Sequence, residues 1–232
     1  EDYRWSILRT GSIAQLCYLK NRTVWVLFNA VFISLYQHVL LWMLASPLFV
    51  VVGVAQAQAR QYHTTAEVTT TKGNLSGIDF FAAISMISFI ILETVADNQQ
   101  LRFQAEKRMP QSVREKNIQE TKLKSVRDGF CQYGLFSIVR KPNYAAEQMI
   151  WVSFYMFSVA SLSSLPNQSI VKAVFNLSGL GFILLISLFQ VSGWMTELIS
   201  IRKYPSYKTY QKNIPLYIPI FLHFRSLRSK EQ

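Results

Sequence analysis

The chain has 232 residues and a formal net charge of +11, and half of its residues are hydrophobic while only 16 % are charged. Soluble globular domains carry about 25 % charged residues, so this composition disfavours a soluble domain and favours an integral membrane protein. The two cysteines, Cys17 and Cys131, show no CxxC or metal-ligand spacing. We therefore expect free thiols, no disulfide scaffold and no metal site.

Four apolar runs predict an all-α integral membrane protein with about four transmembrane helices, because a spanning helix needs about 20 apolar residues. The predicted helices cover approximately residues 24–46, 78–104, 143–165 and 170–200 of a single membrane domain, 1–232. Pro47 lacks a backbone donor, so we expect the first helix to kink or end near residues 45–46, with 49–55 as a separate piece. Asn176 is expected inside the fourth helix.

Cations indicate how the chain is oriented in the membrane. A polar basic loop is predicted over 105–142, and a Tyr/Lys-rich tail over 201–232. Residues 1–23, 97–142 and 196–232 contain 4, 10 and 7 Lys/Arg, respectively. By the positive-inside rule, these three segments share the cytosol or matrix side. The net charge therefore follows mostly from topology and requires no nucleic acid as partner.

The first polar cluster lies where the second helix leaves the membrane. Glu93 and Asp97 are four residues apart and share a helical face, and Gln100 and Gln104 fall on or near the same stripe. A carboxylate inside an apolar helix is costly unless it faces a partner or a wet cavity. The stripe therefore predicts a polar site. The alternative is a helix end in water, with Glu93 paired to a nearby cation.

The second cluster precedes the third helix. Pro142 predicts a helix start, and Glu147 falls in its opening turns, where the helix dipole favours a negative side chain. A helix N-terminus beside Arg140 and Lys141 is suited to holding phosphate. Ordinary capping with cationic membrane anchors is the alternative.

The third cluster follows the fourth helix and interleaves lysines and arginines with tyrosines. This composition fits an interfacial amphipathic segment, and it equally fits a lid over an anionic cofactor. Since all three clusters map to one side of the membrane, the sequence predicts a polar pocket there. The cluster comprises Arg202, Lys203, Tyr204, Tyr207, Lys208, Tyr210 and Lys212.

Three motifs occur in order along the chain. They are AD-x-Q-x-x-x-F from Ala96 to Phe103, GLF-x-x-x-R-x-PNY-x-x-E from Gly134 to Glu147, and a segment with YP-x-Y-x-x-Y and IP from Glu197 to Pro219. Through these motifs, nearly the whole chain resembles the membrane steroid 5α-reductase superfamily, especially its uncharacterised bacterial, plant and protist branch. The resemblance implies a helical membrane reductase that reduces a C=C bond of a lipid, isoprenoid or sterol with NADPH.

The resemblance also implies where the cofactor binds. Asp97, Asn143 and Glu147 match positions that contact the dinucleotide, while Gln104 replaces a cofactor-binding Arg, for which Arg102, Lys107 and Arg127 are candidate substitutes. The catalytic residue is not assigned, because the Glu/Tyr pair of the steroid enzymes comes from helices upstream of the matching region. The expected cofactor-binding residues are Asp97, Arg102, Arg140, Asn143, Tyr144, Glu147, Glu197, Arg202, Tyr204 and Tyr207.

Two other functions remain open. One is a non-catalytic accessory subunit of a larger membrane complex, such as a respiratory assembly, that retains the reductase fold. The other is an S-adenosylmethionine-dependent isoprenylcysteine-type methyltransferase, although Lys141 replaces the His of that family's motif. Expected partners are membrane lipids, a hydrophobic lipid substrate and, for the accessory function, other membrane subunits. The chain begins at Glu1, and a removed leader would fit the mitochondrial inner membrane, whereas sterol chemistry would fit the endoplasmic reticulum.

Overall fold

A computed structural model describes residues 18–64, 75–112, 119–166 and 168–219, and over these residues the structure is helical, without a β-strand. The loop predicted over 105–142 contains one short helix and a 3₁₀ turn, Gly134–Ser137, and the predicted tail contains another short helix. The elements are α1 (Arg22–Phe28), a π-helical segment (Asn29–Tyr36), α2 (Gln37–Thr64), α3 (Gly77–Arg108), α4 (Glu120–Asp128), α5 (Pro142–Ser163), α6 (Ile170–Val174), α7 (Leu180–Lys203) and α8 (Tyr207–Asn213).

Three stretches of the described chain, Arg22–Arg60, Gly77–Arg108 and Ile170–Lys203, are long and apolar enough to cross a membrane. The third predicted span, 143–165, forms α5, a helix of 22 residues, but it is not among these three. It contacts α2, α3 and α7 and buries polar side chains such as Gln148 and Ser158. Helix content is thus confirmed, while the predicted number of spans is supported for three of four.

The long helices alternate in direction. The Asn143 side chain at the start of α5 bonds Asp97 near the end of α3, and Arg140 just before α5 pairs with Glu197 near the end of α7. At the opposite end, Ser158 of α5 contacts Ser178 just before α7 at 3.1 Å. The end where α3 and α7 finish and α5 begins is called the mouth end below. It collects the described parts of all three cation-rich segments.

Pro47 does not end the first long helix, so of the two predicted outcomes near 45–46, a kink or an end, the end is wrong, and residues 49–55 belong to α2. A proline leaves the carbonyl four residues earlier without its helical donor, and the Ser46 hydroxyl donates to that Met43 carbonyl at 2.6 Å. Gly181 of α7 packs directly on the same turn, since a Cβ there would lie 2.4 Å from the Met43 oxygen. Local and long-range contacts therefore support the helix through its proline.

The helix predicted over 170–200 is interrupted, and Asn176 lies in the interruption and not inside a helix. Its side chain accepts from the Ser178 backbone N–H at 2.9 Å and donates to the Ala173 carbonyl at 2.7 Å. Asparagine side chains compete with helical backbone bonds in this way. The apolar run is therefore divided into α6, a 3₁₀ turn (Leu177–Gly179) and α7.

Candidate functional site at the mouth end

A cavity of about 360 Å³ opens at the mouth end, where α3, α5, α7 and α8 meet. This volume lies within the range of small-molecule sites. The lining combines amides, hydroxyls, phenols and one guanidinium with a few apolar walls. The lining residues are Gln100, Phe103, Gln104, Gly129, Phe130, Cys131, Phe136, Arg140, Lys141, Asn143, Tyr144, Thr196, Ser200, Tyr204, Tyr207 and Tyr210.

A buried ion pair lies beside the cavity. Arg140 Nη2 is 2.9 Å from Glu197 Oε2, and the two residues are only 9 % and 5 % exposed. The same carboxylate accepts from the Tyr207 hydroxyl at 2.5 Å and from Gln211 Nε2 at 3.0 Å. Because the Tyr207 phenol and the Gln211 amide both come from α8, the Arg140–Glu197 ion pair holds α8 against the start of α5 and the end of α7.

Arg140 also holds the segment after α8. Its Nη1 donates to the carbonyls of Gln211, at 2.8 Å, and Ile214, and its backbone N–H donates to Pro215 at 2.9 Å. Within the described residues, the buried Nε–H of Arg140 has no acceptor. A ligand in the cavity therefore meets a guanidinium whose charge is balanced by Glu197 and whose Nη1 is occupied by tail carbonyls.

A polar cleft between α3 and α5 adjoins the cavity. Asn143 Nδ2 donates to Asp97 Oδ1 at 3.2 Å. One turn further into the bundle, Glu147 accepts from Trp151 Nε1 at 2.9 Å and contacts the Glu93 side chain. The stripe predicted on α3 thus faces α5 and the cavity, and Glu93 contacts another carboxylate there.

The first two sequence motifs meet in the wall of the cavity. Gln99 Oε1 accepts from the Leu135 N–H at 2.9 Å. Gly134 has φ +62°, and a Cβ there would lie 2.5 Å from the same Gln99 oxygen, so only glycine fits without strain. Phe103 is 1 % exposed and packs in one cluster with Phe136. These contacts give the Gln, Gly and Phe of the first two motifs a structural role in the cavity wall.

Sequence reasoning named Lys107 as one candidate substitute for the lost arginine, and Tyr204 as a site residue, but missed that the two side chains pair beside the cavity. Lys107 Nζ donates to Tyr204 Oη at 3.0 Å and to the Gly129 carbonyl at 2.7 Å. Gly129 has φ +87° and a Cβ there would lie 2.4 Å from the Tyr204 ring. Burial raises the pKa of Tyr204, but the ammonium groups of Lys107 and Lys203 outweigh it, so the net pKa is lowered. The sequence alone did not separate Lys107 from the other two candidates, Arg102 and Arg127, because it stands in a charged helix end.

Two other tail tyrosines, Tyr207 and Tyr210, remain neutral donors. Burial, together with the Glu197 carboxylate, raises the pKa of both Tyr207 and Tyr210 above the ordinary range. Tyr210 Oη donates to the Phe136 carbonyl at 2.5 Å. Cys131 is a buried free thiol whose pKa burial raises to about 11. Cys17 lies outside the described residues.

The predicted site residues fall into three groups. Arg140, Asn143, Tyr144, Tyr204 and Tyr207 line the cavity. Asp97 and Glu147 lie in the adjoining cleft, and Glu197 lies beneath the cavity as partner of Arg140 and Tyr207. Arg102 and Arg202 are exposed and are not among the lining residues. Lining residues absent from the prediction include Gln100, Gln104, Thr196, Ser200 and Tyr210, although the α3 stripe had pointed to both glutamines.

Comparison with known proteins gives a family and one curated relative. The chain matches, over residues 1–214, the model of a family described as proteins of unknown function, DUF1295. It is 29 % identical over 226 residues to the uncharacterised protein C594.04c of Schizosaccharomyces pombe. The match includes 94 % of this chain and 55 % of that protein, so the chain spans about half the length of the relative. No solved structure matches the chain.

Proposed function

Since the chain belongs to the DUF1295 family, within the steroid 5α-reductase-like superfamily, we propose that it is a membrane oxidoreductase that uses NADPH. Its substrate is a lipid, isoprenoid or sterol with a reducible C=C bond. The observation that carries the proposal is the convergence of all three motifs on one polar cavity at the mouth end. Such a cavity, at the cationic end of an apolar bundle, suits an anionic cofactor that enters from water.

The side chains around the cavity fit parts of a dinucleotide. Asn143 and Asp97 offer an amide and a carboxylate that suit ribose hydroxyls or a carboxamide. Lys107 and Tyr204 offer a cation and a phenol that suit phosphate. The Arg140 guanidinium, balanced by Glu197, would hold the cavity wall and the tail in place around the cofactor. When bound, the nicotinamide supplies a hydride, while the protein supplies position and electrostatics.

The outer face of α3 suits a lipid substrate. This helix presents a row of exposed apolar side chains, including Phe80, Ile84, Ile87 and Ile91. A hydrophobic substrate would approach laterally along this face. We place α5 across the membrane as a fourth span, because its 22 residues extend about 33 Å and the alternating helix directions require it. The mouth end then faces the cytosol of the endoplasmic reticulum or the matrix of mitochondria.

A specific observation favours a second candidate, the non-catalytic accessory subunit. The cation that was expected to hold phosphate, Arg140, is occupied by Glu197 and by carbonyls of the tail. Gln104 at the cavity replaces the arginine of the reductases. In this function the cavity would be a retained scaffold, and the chain would purify within a large assembly that binds no NADPH.

Binding measurements on the purified chain in mild detergent test the proposal. We expect saturable NADPH binding, no competition by S-adenosylmethionine, and an affinity about tenfold lower for Asn143→Ala, because a hydrogen bond into a partly buried site is lost. Asn213→Ala is the matched control, since Asn213 is exposed and lies outside this cavity. Absence of NADPH binding, or equal affinities for wild type and Asn143→Ala, would remove the proposed cofactor site.

A further inference from the structure

A glycine inside α7 leaves room for a side chain from the tail. Gly193 is buried within this helix. Glycine in a helix interior is destabilising relative to alanine, so the position calls for a packing reason. An added Cβ would lie 2.1 Å from the Tyr217 hydroxyl oxygen and 3.3 Å from the ring carbon that bears it. The missing side chain therefore makes space for a phenol. We name this space, between Gly193, Phe189 and Tyr144, the phenol notch.

The phenol notch also offers a hydrogen-bond acceptor. The Tyr217 hydroxyl donates to the Phe189 carbonyl at 2.8 Å, and Phe189 lies one helical turn before Gly193. Burial raises the pKa of Tyr217 to about 12, so the phenol is a neutral donor near pH 7. The Tyr144 ring packs edge-on against the Phe189 ring at 4.9 Å. The notch therefore matches a flat ring that carries one hydroxyl.

The phenol notch adjoins the cavity at the mouth end. Tyr144, which bounds the notch, also lines the cavity. Thr196 is a second lining residue, and its hydroxyl donates to the Gly193 carbonyl at 2.9 Å. A ligand that lies in the cavity would therefore reach the notch directly once the Tyr217 side chain leaves it.

The segment that carries Tyr217 is held by bonds that do not involve this side chain. The backbone N–H groups of Arg140 and Lys141 donate to the carbonyls of Pro215, at 2.9 Å, and Leu216, at 3.0 Å. These bonds hold the tail at the start of α5 whether or not the phenol occupies the notch. Since Tyr217 is only half-buried, a rotation of its side chain is enough to empty the notch.

We propose that the phenol notch is a subsite for the hydroxyl-bearing aromatic ring of a lipid, and that Tyr217 is an internal occupant which this ring displaces. The ligand class is phenol-headed prenyl lipids, because the occupant is a phenol, the Phe189 carbonyl requires an O–H donor, and a prenyl chain suits helices that span a membrane. The inference narrows the substrate of the proposed reductase and in that respect rests on the proposed function. Competition by Tyr217 lowers the apparent affinity of the lipid, because only the emptied notch can bind it.

Equilibrium binding of tritium-labelled para-geranylphenol to the full chain in bicelles tests this proposal. Its O-methyl ether is the matched probe, since it keeps the ring and the prenyl chain but has no hydroxyl to donate. We expect saturable binding of the phenol to the wild-type chain, about fivefold tighter than binding of the ether, because one hydrogen bond is lost. Absence of saturable binding, or equal affinities for phenol and ether, would overturn the proposal. This comparison needs no variant to fold.

Two variants should change the affinity for the phenol in opposite directions. Tyr217→Ala and Gly193→Ala both remove the phenol from the notch, but only Gly193→Ala fills the space with a methyl group. Tyr217→Ala should therefore bind para-geranylphenol about fivefold more tightly than wild type, because the competing hydrogen bond is gone, whereas Gly193→Ala should lose saturable binding. Gly53→Ala is the control, since open space surrounds Gly53. Changes in the same direction in both variants would identify Tyr217 as a tail anchor only and overturn the subsite.

NADPH binding measured on the same samples separates this inference from the proposed function. NADPH binding without binding of the phenol would overturn the subsite and leave the proposed reductase in place. Binding of the phenol without NADPH binding would support the subsite and remove the proposed cofactor.

Discussion

Removal of the buried acid at the mouth end should strongly destabilise the protein. In Glu197→Ala the Arg140 guanidinium keeps its bonds to two tail carbonyls but loses its counter-ion at 2.9 Å. An arginine remains charged at any accessible pH, and water has little access to a side chain that is 8 % exposed. The variant also leaves the buried Tyr207 hydroxyl without its acceptor.

The expected loss is about 3–5 kcal/mol, which is the usual cost of leaving one member of a buried ion pair alone. Arg140→Met should cost less, because Glu197 keeps two other hydrogen-bond donors, the Tyr207 hydroxyl and the Gln211 amide. The double variant Arg140→Met/Glu197→Leu should recover much of the loss, since a well-packed apolar pair often replaces a buried ion pair at little cost.

Unfolding free energies from denaturing-detergent titrations of the purified protein provide the four corners of a double-mutant cycle. Glu120→Ala is the matched control, because Glu120 is an exposed acid on α4 and its removal should change the free energy by less than about 0.5 kcal/mol. The reasoning would be refuted if Glu197→Ala cost no more than the control, or if the two single losses simply added in the double variant.

Two further predictions concern packing and thiol chemistry. Gly181→Ala should destabilise the protein by about 1–3 kcal/mol, because the added Cβ would overlap the Met43 carbonyl. Gly53→Ala is the control, since Gly53 has open space around it, and only the Gly181 variant should show a lowered thermal unfolding temperature. In a Cys17→Ser background, Cys131 should be alkylated very slowly at pH 8, because burial holds the thiol neutral, and alkylation should become faster as the pH approaches about 11 or as the protein unfolds. Rapid labelling of the folded protein at pH 8 would contradict this prediction.

The signals that were predictable from the sequence are local or summed over long windows. Hydropathy located the long helices, and the segmental distribution of cations predicted that three polar clusters share one end. Asn143 and Asp97 stood in separate clusters of the sequence. Their side chains nevertheless meet at 3.2 Å, because α3 ends at the mouth end and α5, which runs in the opposite direction, begins there. Helix ends at one membrane side are brought together by topology alone.

The features that the sequence did not reveal depend on partners distant in the chain. Pro47 suggested a helix end, but Ser46 replaces the missing donor and Gly181 packs against the same turn. The Lys107–Tyr204 pair joins residues 97 positions apart, and nothing in the composition near Lys107 distinguishes it from its charged neighbours. Arg140 was expected to hold phosphate, and only the fold shows that Glu197 balances its charge.

Deuterium transfer tests the proposed reductase activity most directly. The purified protein would be incubated with NADPH deuterated at the hydride position and a total lipid extract of the expressing membrane, and the lipids analysed by mass spectrometry. We predict one lipid class that gains a deuterium and a proton across a former C=C bond, with the product reduced in Asn143→Ala and unchanged in Asn213→Ala. NADPH binding without deuterium in any lipid would contradict the reductase and favour a retained cofactor scaffold.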